Sequence, residues 1–242
     1  MKKLVLAATL VALASVGSAG AADLPMKAPP MAPVMAPAWN WTGTYVGVVG
    51  GWGWAQTQQL DVLGVTTGGY TQSGGHFGGT SGIQIQYGTW VFGAESDFSW
   101  SHINGTVASG VCAAGSCFTN LKSFGTSRTR IGYAWDRWMI YATGGIAYGR
   151  VNAGQDSCAG PFVPADGFCG THWQVGWTAG AGVEAWLAPG WSAKLEYLYM
   201  DLGNNYSYTP VVPVYVNKEQ VSLIRAGINY HFNWGGPVVA RY

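Results

Sequence analysis

The chain has 242 residues and a formal net charge of +1, and only 10% of its residues are Asp, Glu, Lys or Arg. A soluble domain carries about 25% charged residues, and a nucleic-acid binder carries a basic patch, so this composition argues against both classes. Aromatic residues make up 14% of the chain and glycine contributes 37 residues. No apolar run long enough for a membrane helix follows the N-terminal segment, so the composition favours a membrane β-barrel.

Residues 1–21 have the pattern of a secretory signal peptide. Lys2 and Lys3 precede an apolar run from Leu4 to Val16, and the small residues Ala19-Gly20-Ala21 follow. This order predicts export and cleavage before Ala22. An anchoring helix is the alternative, but the apolar run is too short for it.

Residues 22–41 are rich in proline, alanine and methionine. Because so many prolines prevent both helix and sheet ladders, we predict an extended periplasmic linker. A polyproline II segment that binds another protein is the alternative interpretation of the same composition.

From residue 42 to residue 232 the sequence alternates between apolar and polar or glycine positions in eight short runs, each typical of a strand. The predicted connections alternate between long and short; the long ones are 55–76, 102–119, 150–170 and 203–217, and the short ones are 88–89, 135–136 and 187–190. Short periplasmic turns and longer external loops are typical of outer-membrane barrels. The predicted fold is therefore all-β, an eight-stranded antiparallel up-and-down transmembrane β-barrel, with a tail over 233–242.

The charged residues of the predicted strands share one face, with four acids balancing four bases. They are Glu95, Asp97, Arg128, Arg130, Glu184, Lys194, Glu196 and Arg225. An eight-stranded barrel is just wide enough to be filled by side chains, and buried charges must be paired. We therefore predict a charge network that fills the lumen, while the opposite, apolar face contacts lipid.

The hairpin over residues 128–148 shows this division most clearly. Arg128 and Arg130 are predicted to point into the lumen, and the Asp136-Arg137 pair to form a periplasmic turn. Ile131, Tyr133, Ile140 and Tyr148 are predicted to face lipid.

Catalysis by the carboxylates is the alternative interpretation of this charged face. Glu95 and Asp97 have the chemistry of an acid and base pair, but the salt-bridged network accounts for all eight residues at once. The sequence has no G-x-S-x-G motif, and its histidines share no motif spacing. We predict no enzymatic activity, no metal and no cofactor.

Four cysteines form two local pairs in long connections, Cys112 with Cys117 and Cys158 with Cys169. An exported protein is exposed to oxidising conditions, so two disulfides are predicted. A zinc site is disfavoured because the spacing does not match one.

Several motifs together carry a family resemblance. They are R-x-R-x-G-Y at 128–133, Y-A-T-G-G-x-A-Y at 141–148, L-E-Y-x-Y at 195–199, R-A-G-x-N-Y-H-F at 225–232 and W-T-G-x-Y-V-G at 41–47. With them the chain resembles the outer-membrane immunogenic proteins, porin-family small β-barrels of Gram-negative bacteria. The resemblance implies an abundant surface protein of the outer membrane that supports envelope integrity and exposes variable loops.

The resemblance also implies partners and two alternative functions. The partners are outer-membrane lipid, lipopolysaccharide and the barrel assembly machinery, whose signal would be the aromatic Phe232 or, because the chain continues past it, Tyr242. The oligomeric state is left open. One alternative function is a narrow porin-like channel for small solutes. The other is haemin or ligand binding through external loops, for which the available side chains are Tyr70, His76, His102, His172, Tyr206 and Tyr208.

Overall fold

A computed structural model of the chain describes residues 39–60, 68–109, 116–155, 169–203, 206–207 and 215–233. The predicted signal peptide, most of the predicted linker and the C-terminal tail lie outside the described residues. In the part of the chain that is described, no helix has the length and apolar character needed to cross a bilayer.

The described residues form one antiparallel sheet. Its strands are β1 (Gly43–Leu60), β2 (Tyr70–Tyr87), β3 (Trp90–Ala108), β4 (Ser116–Trp135), β5 (Trp138–Gln155), β6 (Cys169–Ala188), β7 (Trp191–Asp201), β8 (Tyr206–Ser207) and β9 (Tyr215–Asn233). Each long strand pairs with the next along the chain, and β1 pairs with β9 over its whole length. Eight long strands therefore close into a ring, and the two-residue β8 adds only to the end of β9. The predicted eight-stranded barrel is confirmed.

Tight turns join the strands at one end of the ring, which is the predicted periplasmic end. They lie at residues 88–89, 136–137 and 189–190. Asp136 has a φ of 49°, and Gly88 and Gly190 have φ values of 59° and 79°. Such positive φ values are what two-residue hairpin turns require.

Most strands extend further towards the external end than the sequence indicated. Residues 55–60 belong to β1 and residues 70–76 to β2, although we predicted a connection over 55–76. Residues 102–108, 116–119 and 150–155 likewise lie in strands. These segments are rich in Gly, Thr, Gln and Asn, so their apolar alternation is weak, but the ladder hydrogen bonds form between backbones and do not depend on it.

Apolar side chains cover the outside of the barrel at mid-height. The exposed aliphatic residues there include Val46, Val48, Ile83, Ile85, Ile131, Ile140, Ile146, Leu195, Ile224 and Ile228. Exposed aromatic residues flank them at the periplasmic end (Tyr87, Trp90, Tyr133, Trp135, Trp138, Trp191, Tyr230 and Phe232) and at the external end (Trp52, Trp54, Phe77, Trp100, Trp173 and Trp177). This pattern matches an apolar band between two aromatic girdles.

The strands are longer than the membrane needs. About ten tilted residues cross the hydrocarbon core, whereas β3 has 19 residues and β4 has 20. On β3 the membrane-facing stretch runs from Trp90 to Trp100, so the residues beyond Trp100 project outwards from the bilayer. The barrel therefore has a membrane-embedded part and an external extension.

Candidate functional site: the barrel lumen

All eight charged residues predicted for the lumen lie inside the barrel, and each is at most 4% exposed. They belong to five strands, β3, β4, β6, β7 and β9. Alternation along each strand directs them inwards, because residues two apart share a face. The structure brings them together in one connected network.

Arg128 is at the centre of the network and contacts three carboxylates. Its Nη1 donates to Glu196 Oε1 at 2.7 Å, and its Nη2 donates to Asp97 Oδ2 at 3.0 Å. The same Nη2 contacts Glu95 Oε1. Thr126 donates to Asp97 Oδ2 at 2.6 Å. Because a guanidinium has five donors in a fixed plane, one arginine can hold several acids together.

Arg225 and Lys194 add positive charge on the other side of these acids. Arg225 Nε donates to Glu196 Oε2 at 2.7 Å, and its Nη2 donates to Asp97 Oδ2 at 3.0 Å. Lys194 Nζ donates to Glu95 Oε2 at 2.7 Å. Three carboxylates are thus matched by three cations, which is the condition for keeping charges in a buried site.

Arg130 links this group to a fourth carboxylate. Its Nη2 donates to Glu184 Oε2 at 2.6 Å, and its Nη1 lies 3.4 Å from Glu95 Oε2. Nη1 also donates to Tyr45 Oη at 2.9 Å, and that hydroxyl donates to Glu95 Oε2 at 2.7 Å. The guanidinium carbon lies 3.8 Å from the ring centre of Tyr141, which is a cation–π contact.

Ser192, Asn229 and His231 complete the surroundings of Glu184. Ser192 Oγ and Asn229 Nδ2 donate to Glu184 Oε1 at 2.5 Å and 2.7 Å. His231 Nε2 lies 2.8 Å from Ser192 Oγ and 3.4 Å from the same carboxylate oxygen. Each carboxylate of the network therefore has several donors, although Asp97 Oδ1 has no hydrogen-bond partner among the residues that the structure describes.

Sequence analysis did not identify Tyr45, Tyr141, Ser192, Asn229 and His231 as parts of this network. Strand parity could have found them. Asn229 and His231 share the parity of Arg225 on β9, and Ser192 shares that of Lys194 on β7. Polar uncharged residues do not mark a face as clearly as charges do, so this signal was missed.

Two glycines make room for the tyrosine rings. A Cβ on Gly82 would lie 2.5 Å from Tyr45 Oη, and a Cβ on Gly182 would lie 2.6 Å from Tyr141 Oη. Any larger residue at these positions would push the rings out of the network.

Nearer the external end, the lumen contains an apolar layer that the sequence analysis did not predict. This cluster consists of fully buried hydrophobic residues, Ala55, Ile103, Leu121, Phe124, Ala147, Val151, Leu198, Met200, Leu202, Val221 and Leu223. It lies at and beyond the level of the external girdle: Leu223 pairs with Gly53 next to Trp54, and Ile103 lies three residues beyond Trp100. The lumen therefore contains a charged layer and, nearer the external end, an apolar layer.

Glu219 lies beyond the apolar layer, in the external extension. It is fully buried and contacts the hydroxyl of Thr57, and Gln72 Nε2 donates to its Oε1 at 3.2 Å. Among the described residues it forms no ion pair within 4.0 Å. Burial raises the pKa of this carboxyl to about 8, and the two hydrogen bonds only partly oppose that effect.

Aromatic rings pack over the periplasmic mouth. Trp39 stacks on Trp186 with centroids 5.7 Å apart, and Trp41 lies 4.9 Å from the same ring. Trp186 in turn lies 4.5 Å from His231. Trp41 is 1% exposed, and its backbone N–H donates to Gln86 Oε1 at 2.9 Å. The last residues of the predicted linker thus pack against the barrel.

An open groove of about 950 Å³ lies on the outer wall. Ala142 and Ala181 form its floor, and the outward-facing Ile131, Tyr133 and Leu195 border it. Since these residues face lipid, the groove gives solutes no path through the barrel.

The side chains proposed as haemin ligands are dispersed, and the prediction that they lie in loops is wrong for five of them. Tyr70, His76, His102, His172 and Tyr206 are on strands. His76 is 7% exposed and packs inside the barrel against Phe124, with centroids 5.2 Å apart. Tyr70 is buried, and its hydroxyl lies 2.7 Å from Thr119 Oγ1. His102 faces outwards, Tyr206 lies in β8, and Tyr208 is outside the described residues.

Cys117 is disulfide-bonded and buried near the start of β4. Cys169 begins β6, and Cys112 and Cys158 lie outside the described residues. The pairing of the four cysteines therefore stays a prediction.

Phe232 and Tyr242 are the two residues predicted as the assembly signal. Phe232 pairs with Thr44 where β9 meets β1, and its side chain is 48% exposed. Tyr242 lies outside the described residues.

A closed antiparallel ring with an apolar, aromatic-bordered exterior defines a transmembrane β-barrel of the outer-membrane type. Comparison with known families agrees. The family model described as outer membrane protein beta-barrel domain matches residues 9–232, so the chain belongs to the outer membrane protein β-barrel family.

Two outer-membrane proteins of Brucella are similar to this chain over most of its length. The 31 kDa outer-membrane immunogenic protein of Brucella melitensis biotype 1 is 34% identical over 264 aligned positions, which cover 96% of this chain and all of that protein. The 25 kDa outer-membrane immunogenic protein of Brucella abortus biovar 1 is 31% identical and covers 89% of this chain and 91% of its own length. The predicted resemblance and the outer-membrane location are confirmed.

Among solved structures, the outer membrane protein OprG from Pseudomonas aeruginosa is similar, with 17% identity and a TM-score of 0.48. The similarity covers 80% of this chain and 98% of that protein.

Proposed function

We propose that this protein is a closed outer-membrane barrel that contributes to the integrity of the cell envelope and displays its long connections at the cell surface. The observation that carries the proposal is the filling of the lumen by two successive layers. The charge network occupies the lumen at the level of the membrane, and the apolar layer lies above it.

Each layer opposes the passage of ions in a different way. A solute entering the polar layer must separate carboxylates from the guanidinium groups that bind them, and breaking a buried pair costs about 3–5 kcal/mol. An ion entering the apolar layer must give up hydration where most of the surrounding side chains offer no polar partner. Together the two layers favour a closed barrel over the narrow channel.

The proposal includes the absence of enzymatic activity. Glu95 and Asp97, the candidate acid and base, are each bound to cations and buried. A hydrolytic activity that disappears in Glu95→Gln, while the heat-dependent gel mobility of the folded barrel is retained, would contradict this part of the proposal.

We also propose that residues 1–21 are removed on export and that residues 22–38 form a periplasmic spacer. N-terminal sequencing of protein purified from outer membranes tests this directly. We expect the mature chain to begin at Ala22, and retention of residues 1–21 would contradict the assignment.

The proposed partners are the outer-membrane lipids around the barrel, including lipopolysaccharide, and the barrel assembly machinery. For assembly we propose that Phe232 is the signal, because it lies where β9 closes on β1. Phe232→Ala is then expected to lower the amount of folded barrel in the outer membrane, whereas Tyr242→Ala is expected to leave it unchanged. The opposite result would assign the signal to Tyr242.

Uptake of small solutes by vesicles tests the proposed function itself. Vesicles that contain the refolded protein should swell no faster in isotonic solutions of small sugars or amino acids than vesicles without protein. Swelling that depends on solute size would instead support the narrow channel.

A further inference from the structure

Three basic residues lie on the outside of the barrel, just above the external girdle. His102 is on β3, Lys122 on β4 and Arg150 on β5, and all three are exposed. They belong to three neighbouring strands, which in a sheet lie about 4.8 Å apart. They take no part in the lumen network.

Two irregularities in the strand register bring these residues together. The pairing of β3 with β4 shifts between Trp100 and Ile103, which places His102 in the interruption. The pairing of β4 with β5 shifts between Leu121 and Ser123, which leaves Lys122 as an extra residue beside Arg150. β-bulges of this kind change the direction of a side chain. Here they set Lys122 between the other two basic residues.

No acid balances this cluster in the described part of the chain. Lys122 and Arg150 form no ion pair or side-chain hydrogen bond there, in contrast to the paired arginines of the lumen. Ser123 pairs with Arg150, and the outward positions nearby carry Trp100, Trp173 and Asn104. Like charges on facing positions of adjacent strands destabilise a sheet, and an anion bound between Lys122 and Arg150 would offset their repulsion.

The position of the cluster relative to the membrane surface indicates the source of such an anion. Trp100 pairs with Ser123 and Arg150 pairs with Trp173, so the cluster shares a row with two tryptophans of the external girdle. Girdle tryptophans lie at the level of lipid headgroups. Long basic side chains at that level reach the phosphates of lipids, and guanidinium–phosphate contacts are among the strong hydrogen bonds.

We propose that Lys122, Arg150 and His102 form a binding site for the phosphate groups of a glycolipid headgroup in the outer leaflet, with Trp100 and Trp173 alongside its sugars and acyl chains. This inference rests on the proposed function only in taking lipopolysaccharide as the lipid partner. It gives that partner a defined place on β3, β4 and β5.

Binding of lipid A to the refolded full-length protein tests the site. Protein in a neutral detergent is titrated with diphosphorylated lipid A and with the same lipid after removal of both phosphates, and tryptophan fluorescence reports binding. We expect the phosphorylated lipid to bind on the order of tenfold more tightly, and this preference to weaken as salt is raised.

The decisive variant combines His102→Gln, Lys122→Gln and Arg150→Gln, and the matched control is Arg137→Gln at the periplasmic turn. We expect the triple variant to lose the preference for phosphate and the control to keep it. Because all four residues are exposed, both proteins should show the heat-dependent gel mobility of a folded barrel. A double variant, Lys122→Arg with Arg150→Lys, should retain binding and excludes a loss caused by altered packing.

Three results would overturn the proposal. They are equal binding of the two lipids by the wild-type protein, an unchanged preference in the triple variant, and full competition by inorganic phosphate at the concentration of the lipid, which would indicate a free anion as the ligand. Vesicle swelling by the triple variant is measured in parallel. If only the lipid site is wrong, neither the wild-type protein nor the triple variant should cause swelling. Swelling by the wild-type protein would contradict the closed barrel but not the lipid site.

Discussion

The two layers of the lumen are held together by opposite means. In the charge network each of eight charged side chains lies within hydrogen-bond distance of an oppositely charged partner, whereas the apolar layer consists of aliphatic and aromatic side chains. In the first layer each residue depends on particular partners, because an unpaired buried charge is costly. In the second layer each residue contributes through volume, and a neighbour can partly relax into lost space. The comparison predicts that single substitutions disturb the layers differently.

The largest effect is expected from Arg128→Met. The change leaves Glu95, Asp97 and Glu196 close together without their shared cation, and removing one partner of a buried pair costs about 3–5 kcal/mol. Urea unfolding of the refolded barrel in lipid vesicles measures the loss of unfolding free energy. Arg137→Met, in the exposed periplasmic turn, is the control and should change stability by less than about 0.5 kcal/mol. Equal effects of the two variants would contradict the network.

The apolar layer is tested by Leu198→Ala, with Leu195→Ala on the same strand as the matched control. Leu198 is fully buried in the lumen, whereas Leu195 is 54% exposed on the lipid side. A cavity in the lumen should cost about 2–5 kcal/mol, while lipid chains can fill the space left at position 195. If the variants lose the same stability in urea unfolding, the apolar layer is not packed as described.

Glu219 gives the barrel a pH-dependent element in its external extension. Its pKa is raised from 4.5 to about 8, so the folded state binds its proton more tightly than the unfolded chain does. Its contribution to stability is therefore complete below about pH 4.5 and is lost as the pH rises through about 8. The protection factors of the amides around residue 219, which are the intrinsic exchange rates at each pH divided by the observed ones, should fall over that range in the wild-type protein and stay constant in Glu219→Gln.

This effect should be smaller for global unfolding than for local exchange, because the end of β9 can open without disrupting the charge network. Protection factors that fall equally in the wild-type protein and in Glu219→Gln would assign the pH dependence to another group.

The smallest effect is expected at the periplasmic mouth. Trp39→Ala removes one aromatic stack on Trp186, which is worth about 0.5–1.5 kcal/mol. Urea unfolding should detect this loss, and vesicles containing the variant should still not swell, because both layers of the lumen remain. Swelling of Trp39→Ala vesicles would instead place the barrier at the mouth.

The sequence predicted the charged layer but not the apolar layer, and the reason is physical. Around Lys194 and Glu196 the two faces of β7 differ, so alternation shows which side chains point inwards. Around Leu198 and Met200 both faces are apolar, because Tyr197 and Tyr199 point outwards, and alternation no longer distinguishes lumen from lipid. Closure of the ring could be predicted from strand count, whereas contacts such as Arg130 with Tyr141 depend on distances that parity does not give.

Single-channel recording in planar bilayers tests the closed lumen most directly. The wild-type protein, refolded and shown to be folded by its gel mobility, should give no conductance steps over long recordings at ±100 mV, a voltage worth about 2.3 kcal/mol per elementary charge. A double variant that removes bulk from the apolar layer, Phe124→Ala with Leu223→Ala, serves as a comparison and should also stay silent, because the charge network is intact. Stable, reproducible steps from the wild-type protein would contradict the account.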